Sequence, residues 1–260
     1  LLDEAQARIQ DAMRVIHRRH QLIYDPRLLD GYDGFEGPLD HRKQLREILG
    51  RALSDQDNGF TVDWERTAKL TWKPPRRKRA PKHPEMIDLV LQHRHEDRHT
   101  RKRTTYRYGL TIVFGPPHGD PEADALTITR HGRTGTMPAV RGDDLLYTVF
   151  CELGNTEARV EAGELSGGFV LFFSVVPAWD EAFDAHAPYE GRVLEGALSR
   201  PKTLIRKSSP AIELQHTYTC EWTDWGHVPQ TAPAGQRPLR GDTVADEGGR
   251  EVKYLLLPVG

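Results

Sequence analysis

Apolar residues recur at three- and four-residue spacing over the first 22 positions. Leu2, Ala5, Ile9, Met13, Ile16 and His20 fall on one side of a helical projection, so residues 1–22 read as an amphipathic helix. Residues 24–38 hold Pro26, Gly31, Gly34, Gly37 and Pro38 and read as a loop. Asp40 suits the cap of a second helix, running to about residue 54, with Leu45, Ile48, Leu49, Ala52 and Leu53 on one face.

From Gly59 the period falls to two. Phe60, Val62 and Trp64 alternate with Thr61, Asp63 and Glu65, followed by Leu70 and Trp72, which predicts a half-buried strand or hairpin. Short strands follow at Met86–Leu91, Tyr106–Phe114 and Leu126–Thr129. Asp143 to Leu153 carries Leu145, Leu146, Val149, Phe150 and Leu153 and suits a buried helix. Gly168 to Val176 is almost continuously apolar, the signature of a strand covered on both faces. Trp179–His186 reads as a helical turn, Ile212–Trp222 as an alternating strand, 226–249 as a Gly/Pro/Ala-rich loop and Val252–Val259 as a last strand. This order predicts an α/β (α+β) fold: a mixed central sheet flanked by helices, with further helices at the N-terminus.

Composition leaves that picture standing. The chain has 260 residues, enough to bury a core without staples. Its two cysteines, Cys151 and Cys220, lack CxxC spacing and read as buried reduced thiols. The longest apolar run, Phe169–Trp179, falls short of the roughly 20 residues a membrane span needs, so no membrane association is expected. The opening Leu1-Leu2-Asp3-Glu4 has no basic n-region, and a cytoplasmic location is the expectation. Nothing here sets an oligomeric state.

Charge changes more. Net charge is near zero, yet twelve Lys/Arg and four acids fall between Lys73 and Arg107, which leaves the rest of the chain acidic. Two clusters, Arg76-Arg77-Lys78-Arg79 and Arg101-Lys102-Arg103, flank the strand that holds Asp88. With Tyr106 and Tyr108 beside them they can contact phosphates and stack on bases, so DNA or another nucleic acid is the expected partner. A flexible solvated loop is the plainer reading of the same run.

A second constellation is His93-Arg94-His95-Glu96-Asp97-Arg98-His99. It resembles the HxHxDH metal box of metallo-β-lactamase-fold hydrolases, which implies Zn²⁺ held by His93, His95, Asp97 and His99. Arg98 stands where that box has its last histidine, and a solvated His-rich loop is the alternative. Trp222, Trp225 and Tyr218 form an aromatic group that reads as packing rather than as a ligand platform. No nucleophile elbow and no phosphate-binding glycine loop is present in the sequence.

The element order, with Asp88 in Met86-Ile87-Asp88-Leu89-Val90, resembles the core of the PD-(D/E)XK nuclease superfamily. The C-terminal half is similar to the tail of a bacterial group of such proteins. It runs through Gly168–Ser174, Pro177-Ala178-Trp179, Gly191-Arg192-Val193-Leu194-Glu195-Gly196, Ile212-Glu213-Leu214 and Lys253–Val259. The resemblance implies a restriction-endonuclease-like core over 39–260, preceded by an N-terminal helix and loop at 1–38. It implies Mg²⁺ bound by Asp88, with Glu47 as the helix acid and a metal-activated water cutting a phosphodiester, in defence or repair. The family also places Glu-x-Lys on the next strand. Here that strand reads Leu110-Thr111-Ile112-Val113-Phe114, and the literal Glu-x-Lys is Glu251-Val252-Lys253, in the last strand. Lys69 or Lys73 would have to substitute. A binding module without catalysis is the alternative on the same fold.

Overall fold

The computed structural model describes residues 1–19, 36–55, 59–63, 87–96, 99–114, 125–130, 133–138, 142–174, 193–194, 212–228 and 250–260. Predicted features at 64–86, including the Arg76–Arg79 cluster, Lys69 and Lys73, lie outside these residues. So do Asp97, the turn at 179–186 and most of the predicted 226–249 loop.

Among the described residues two helices come first, α1 (Leu2–Arg18) and α2 (Glu36–Ser54). α2 starts four residues before the predicted Asp40 cap. Its first turn admits Pro38 because the N–H groups there have no partner within the helix. Then come β1 (Phe60–Asp63), β2 (Leu89–Glu96), β3 (Arg103–Phe114), the hairpin strands β4 (Ala125–Arg130) and β5 (Arg133–Pro138), and helix α3 (Gly142–Glu161). The chain continues through β6 (Gly167–Ser174), a small pair formed by β7 (Val193–Leu194) and β8 (Ile212–Glu213), then β9 (Thr223–Val228) and β10 (Arg250–Val259).

Six strands form one mixed sheet in the order β1-β2-β3-β6-β10-β9. Neighbours are antiparallel except β3 and β6, which run parallel from Tyr108 beside Gly167 to Phe114 beside Phe173. A parallel pair needs a crossover, and the chain supplies it with α3. The strand predicted at 212–222 is instead the short β8, a bend and an isolated bridge at Tyr218, with the next strand beginning at Thr223.

The two faces of the sheet are covered by different helices. Leu89, Leu91, Leu110, Ile112, Phe169, Leu171 and Phe173 point to the side of α1 and α2, where they meet Ile9, Met13, Ile16, Leu45 and Leu49. Val113, Val170, Phe172, Leu255 and Leu257 point the other way, toward Val149, Phe150 and Leu153 of α3. Strict alternation along β6 therefore serves two cores, which is why the sequence shows an unbroken apolar run there. The N-terminal helix is part of this body. Trp225 donates its indole N–H to the Met13 carbonyl at 2.8 Å and packs edge-on to Phe173 and His17.

α3 runs eight residues past the predicted end at Leu153 because its inward face turns polar. Thr156, Glu157 and Arg159 are buried there. Gly168 makes room for this face, since a Cβ on it would overlap the Thr156 methyl group. Glu157 accepts the backbone N–H groups of Gln215 and His216 at 2.9 and 3.0 Å, and the Tyr218 hydroxyl at 2.7 Å. One buried carboxylate thus fixes the bend that joins β8 to β9.

Burial pushes the Tyr218 phenol up, and the hydrogen bond and charge of Glu157 push it further. The folded state therefore keeps its proton where the unfolded phenol, near pH 10, loses it. Stability is expected to hold below that pH and fall as pH rises beyond it. In alkaline denaturation curves Tyr218→Phe should show a shallower fall and, at neutral pH, a loss of about 1–2 kcal/mol for the missing bond to a charged acceptor.

Candidate functional site

β2 begins at Leu89, so Asp88 sits in the bend just before the strand rather than within it. Its side chain is 4% exposed. From α2, Arg42 approaches it side-on. The Nε–H donates to Oδ1 at 3.0 Å and to Oδ2 at 3.1 Å, and Nη2 donates to Oδ2 at 2.8 Å. The backbone N–H of Ile112 in β3 also donates to Oδ2, at 2.7 Å. One carboxylate therefore joins a helix, a bend and a strand. Burial works against the charge on Arg42, but the hydrogen bonds and attraction of Asp88, with Glu152 adding to them, outweigh it and hold the guanidinium above its ordinary value.

These residues do not fit Mg²⁺. A divalent cation needs several hard oxygen ligands, whereas both Asp88 oxygens face a guanidinium that would repel it. Glu47 is exposed on α2. It lies about 140° around the helix from Arg42, which turns it away from the Arg42 face. On β3, Leu110 and Ile112 beside Asp88 enter the apolar core, and Thr111 is buried on the α3 side. Glu251-Val252-Lys253 lies on β10, separated from β2 by β3 and β6. Three strand spacings amount to about 14 Å, too far to share an ion with Asp88.

The structure brings forward a different acid. Glu152 of α3 contributes to the field at Arg42 and lines a small hollow with the polar Thr111, Asn155, Thr156 and Arg159 and the apolar Ile87 and Leu165. The hollow has about 10 Å³ of accessible room, enough for about one water molecule and far below a small-molecule site. Apolar periodicity ends at Leu153 in the sequence, so the polar face of α3 gave no signal.

The histidine segment is strand rather than loop from His93 to Glu96. His93 and His95 point to the same side of β2, opposite Tyr106 and Thr104 of β3. His93 donates Nδ1–H to the Gly59 carbonyl at 3.1 Å, the carbonyl being able only to accept, and its ring packs on Phe60. His99 is exposed in the turn beyond. Among the described residues, no three His, Cys, Asp or Glu side chains are placed to hold a metal ion together.

Arg101 and Lys102 are exposed in the turn between β2 and β3, Arg101 with a left-handed φ of 54°. Arg103 opens β3 and donates to Glu96 across the hairpin at 3.0 Å. Trp225 and Tyr218 belong to the cores on opposite faces of the sheet, and Trp222 packs edge-on to Phe172, so the aromatic group forms no single platform. Cys151 and Cys220 are half-buried thiols and form no disulfide. No described helix is long and apolar enough to cross a membrane. Comparison with family models, curated proteins and solved structures finds no match.

The Arg42–Asp88 pair makes a direct prediction. Arg42→Ala leaves a buried carboxylate with one backbone donor and should cost about 3–5 kcal/mol in chemical denaturation. Arg42→Lys keeps the charge but loses the side-on fork, and should recover part of that loss. An Arg42→Ala protein as stable as the parent would show that the pair carries no structural role.

Proposed function

We propose that this protein binds nucleic acid on a nuclease-like fold, with Asp88 serving structure rather than metal-dependent cleavage. The observation that carries the reading is the β2–β3 hairpin. Its base holds the family-like acid, engaged by Arg42 and the Ile112 N–H; its tip presents Arg101, Lys102 and Arg103 to solvent, and its strands present Arg94 and Arg107.

The element order supports the PD-(D/E)XK resemblance. A helix leads into three antiparallel strands, a crossover helix and a strand parallel to the third. The position of Asp88 at the head of the second strand supports it too. Against catalysis stand the guanidinium on that acid and the lack of an acid or a lysine at 110–114 on the adjoining strand. Electrostatics favours binding instead, because exposed guanidinium and ammonium groups gain from displacing counterions condensed on a polyanion.

Fluorescence anisotropy with a labelled DNA duplex tests this. Affinity should fall steeply and log-linearly with salt. Plasmid DNA should remain intact with Mg²⁺ or Mn²⁺ under conditions where binding is saturated. Cleavage that Asp88→Ala abolishes would return Asp88 to the metal, and absence of any DNA binding at low salt would remove the proposal altogether.

A further inference from the structure

Among the described residues, the β2–β3 hairpin outruns its neighbours. β1 accompanies β2 only as far as Phe60 beside His93, and β6 joins β3 only from Gly167 beside Tyr108. Beyond these limits, Arg94–Glu96 and Arg103–Arg107 form a two-stranded ribbon paired as Arg94–Thr105, His95–Thr104 and Glu96–Arg103. The Arg107 backbone is anchored at its root, accepting the Ser166 N–H at 2.7 Å and donating to Ser166 Oγ at 3.2 Å.

Resting on the nucleic-acid reading above, we propose that this ribbon is the element that docks, and that its partner is double-stranded DNA entered through the major groove. Two paired strands are about 4.8 Å apart, and the major groove, about 12 Å wide, admits such a ribbon. The chemistry of the ribbon fits that groove. Gln92, Arg94, Thr105 and Arg107 share one face, where the register places Arg94 diagonal to Arg107. The acid on that face, Glu96, is engaged by Arg103. Two exposed guanidinium groups side by side repel one another until an acceptor-rich partner arrives, and guanine O6 and N7 offer Arg a two-pronged acceptor. Arg101 and Lys102, exposed at the tip, are placed for the phosphates that border the groove.

The same geometry selects among polyanions. Duplex RNA has a deep, narrow major groove that excludes a ribbon. Single strands call for a row of aromatic rings. The ribbon has Tyr106, half-buried against the α1/α2 core on its other face.

The test uses anisotropy with a DNA duplex, an RNA duplex of the same sequence and vesicles of anionic phosphatidylglycerol. Dimethyl sulfate probing of guanine N7 on the bound DNA completes it. DNA should be preferred over RNA and vesicles by about tenfold or more, and guanine N7 should be protected. Arg94→Ala with Lys102→Ala should weaken DNA binding about tenfold and lower the salt slope by about one for each phosphate no longer neutralised. Arg14→Ala, on α1, should bind as the parent does, and circular dichroism should show all variants folded. If the parent binds DNA and the ribbon variant binds equally well, the ribbon inference is overturned while nucleic-acid binding stands. Equal binding to RNA or vesicles overturns it as well. If the parent binds no DNA at all, the broader reading falls with it.

Discussion

Asp88 lies where three parts of the chain must agree. The bend before β2 presents the carboxylate, α2 brings Arg42 alongside, and β3 turns the Ile112 N–H toward it. A buried carboxylate is costly without partners, so each part constrains the other two. The pair fixes the first turns of α2 against the end of the sheet, and from there Leu45, Leu49 and Leu53 descend into the core over β1 and β3. The hairpin that rises from Asp88 inherits its direction from this junction.

The other half of the sheet is organised by burial on both faces. β6 and β10 carry large apolar side chains to two separate cores, and α3 closes the second of these with a partly polar face. Glu157 and Asp88 play parallel roles. Each is a buried carboxylate near the end of an element that accepts backbone N–H from a segment distant in sequence, one group for Asp88 and two for Glu157. Buried acids in this protein join its layers.

Much of the fold was legible in the sequence where apolar periodicity was strong. The α1 stripe, the α2 face, the unbroken run of β6 and the last strand all lie close to their predicted positions. The polar half of α3 was not, because Thr156, Glu157 and Arg159 occupy inward positions where a pattern reading expects apolar residues. β9 was hidden by Gly226, whose φ of 95° breaks the alternation between Trp225 and Val228. β2 and β3 ran further than predicted because beyond His93 the hairpin buries little, so its side chains carry no alternating signal. Asp88 itself was visible in the sequence. Its engagement with Arg42, 46 residues earlier, was not, because an ion pair between distant segments leaves no local pattern.

The hairpin thus separates two chemistries within one sequence segment, a neutralised acid at the root and exposed cations at the tip. Mn²⁺ titration followed by amide NMR tests the root most directly. Because the Ile112 N–H donates to Asp88, its resonance reports on that carboxylate. The Arg42–Asp88 pair predicts that Mn²⁺ leaves the Ile112 signal as sharp as the core amides around it. Selective broadening of Ile112 and Leu89 at low Mn²⁺, lost in Asp88→Asn, would contradict this and place a metal on Asp88.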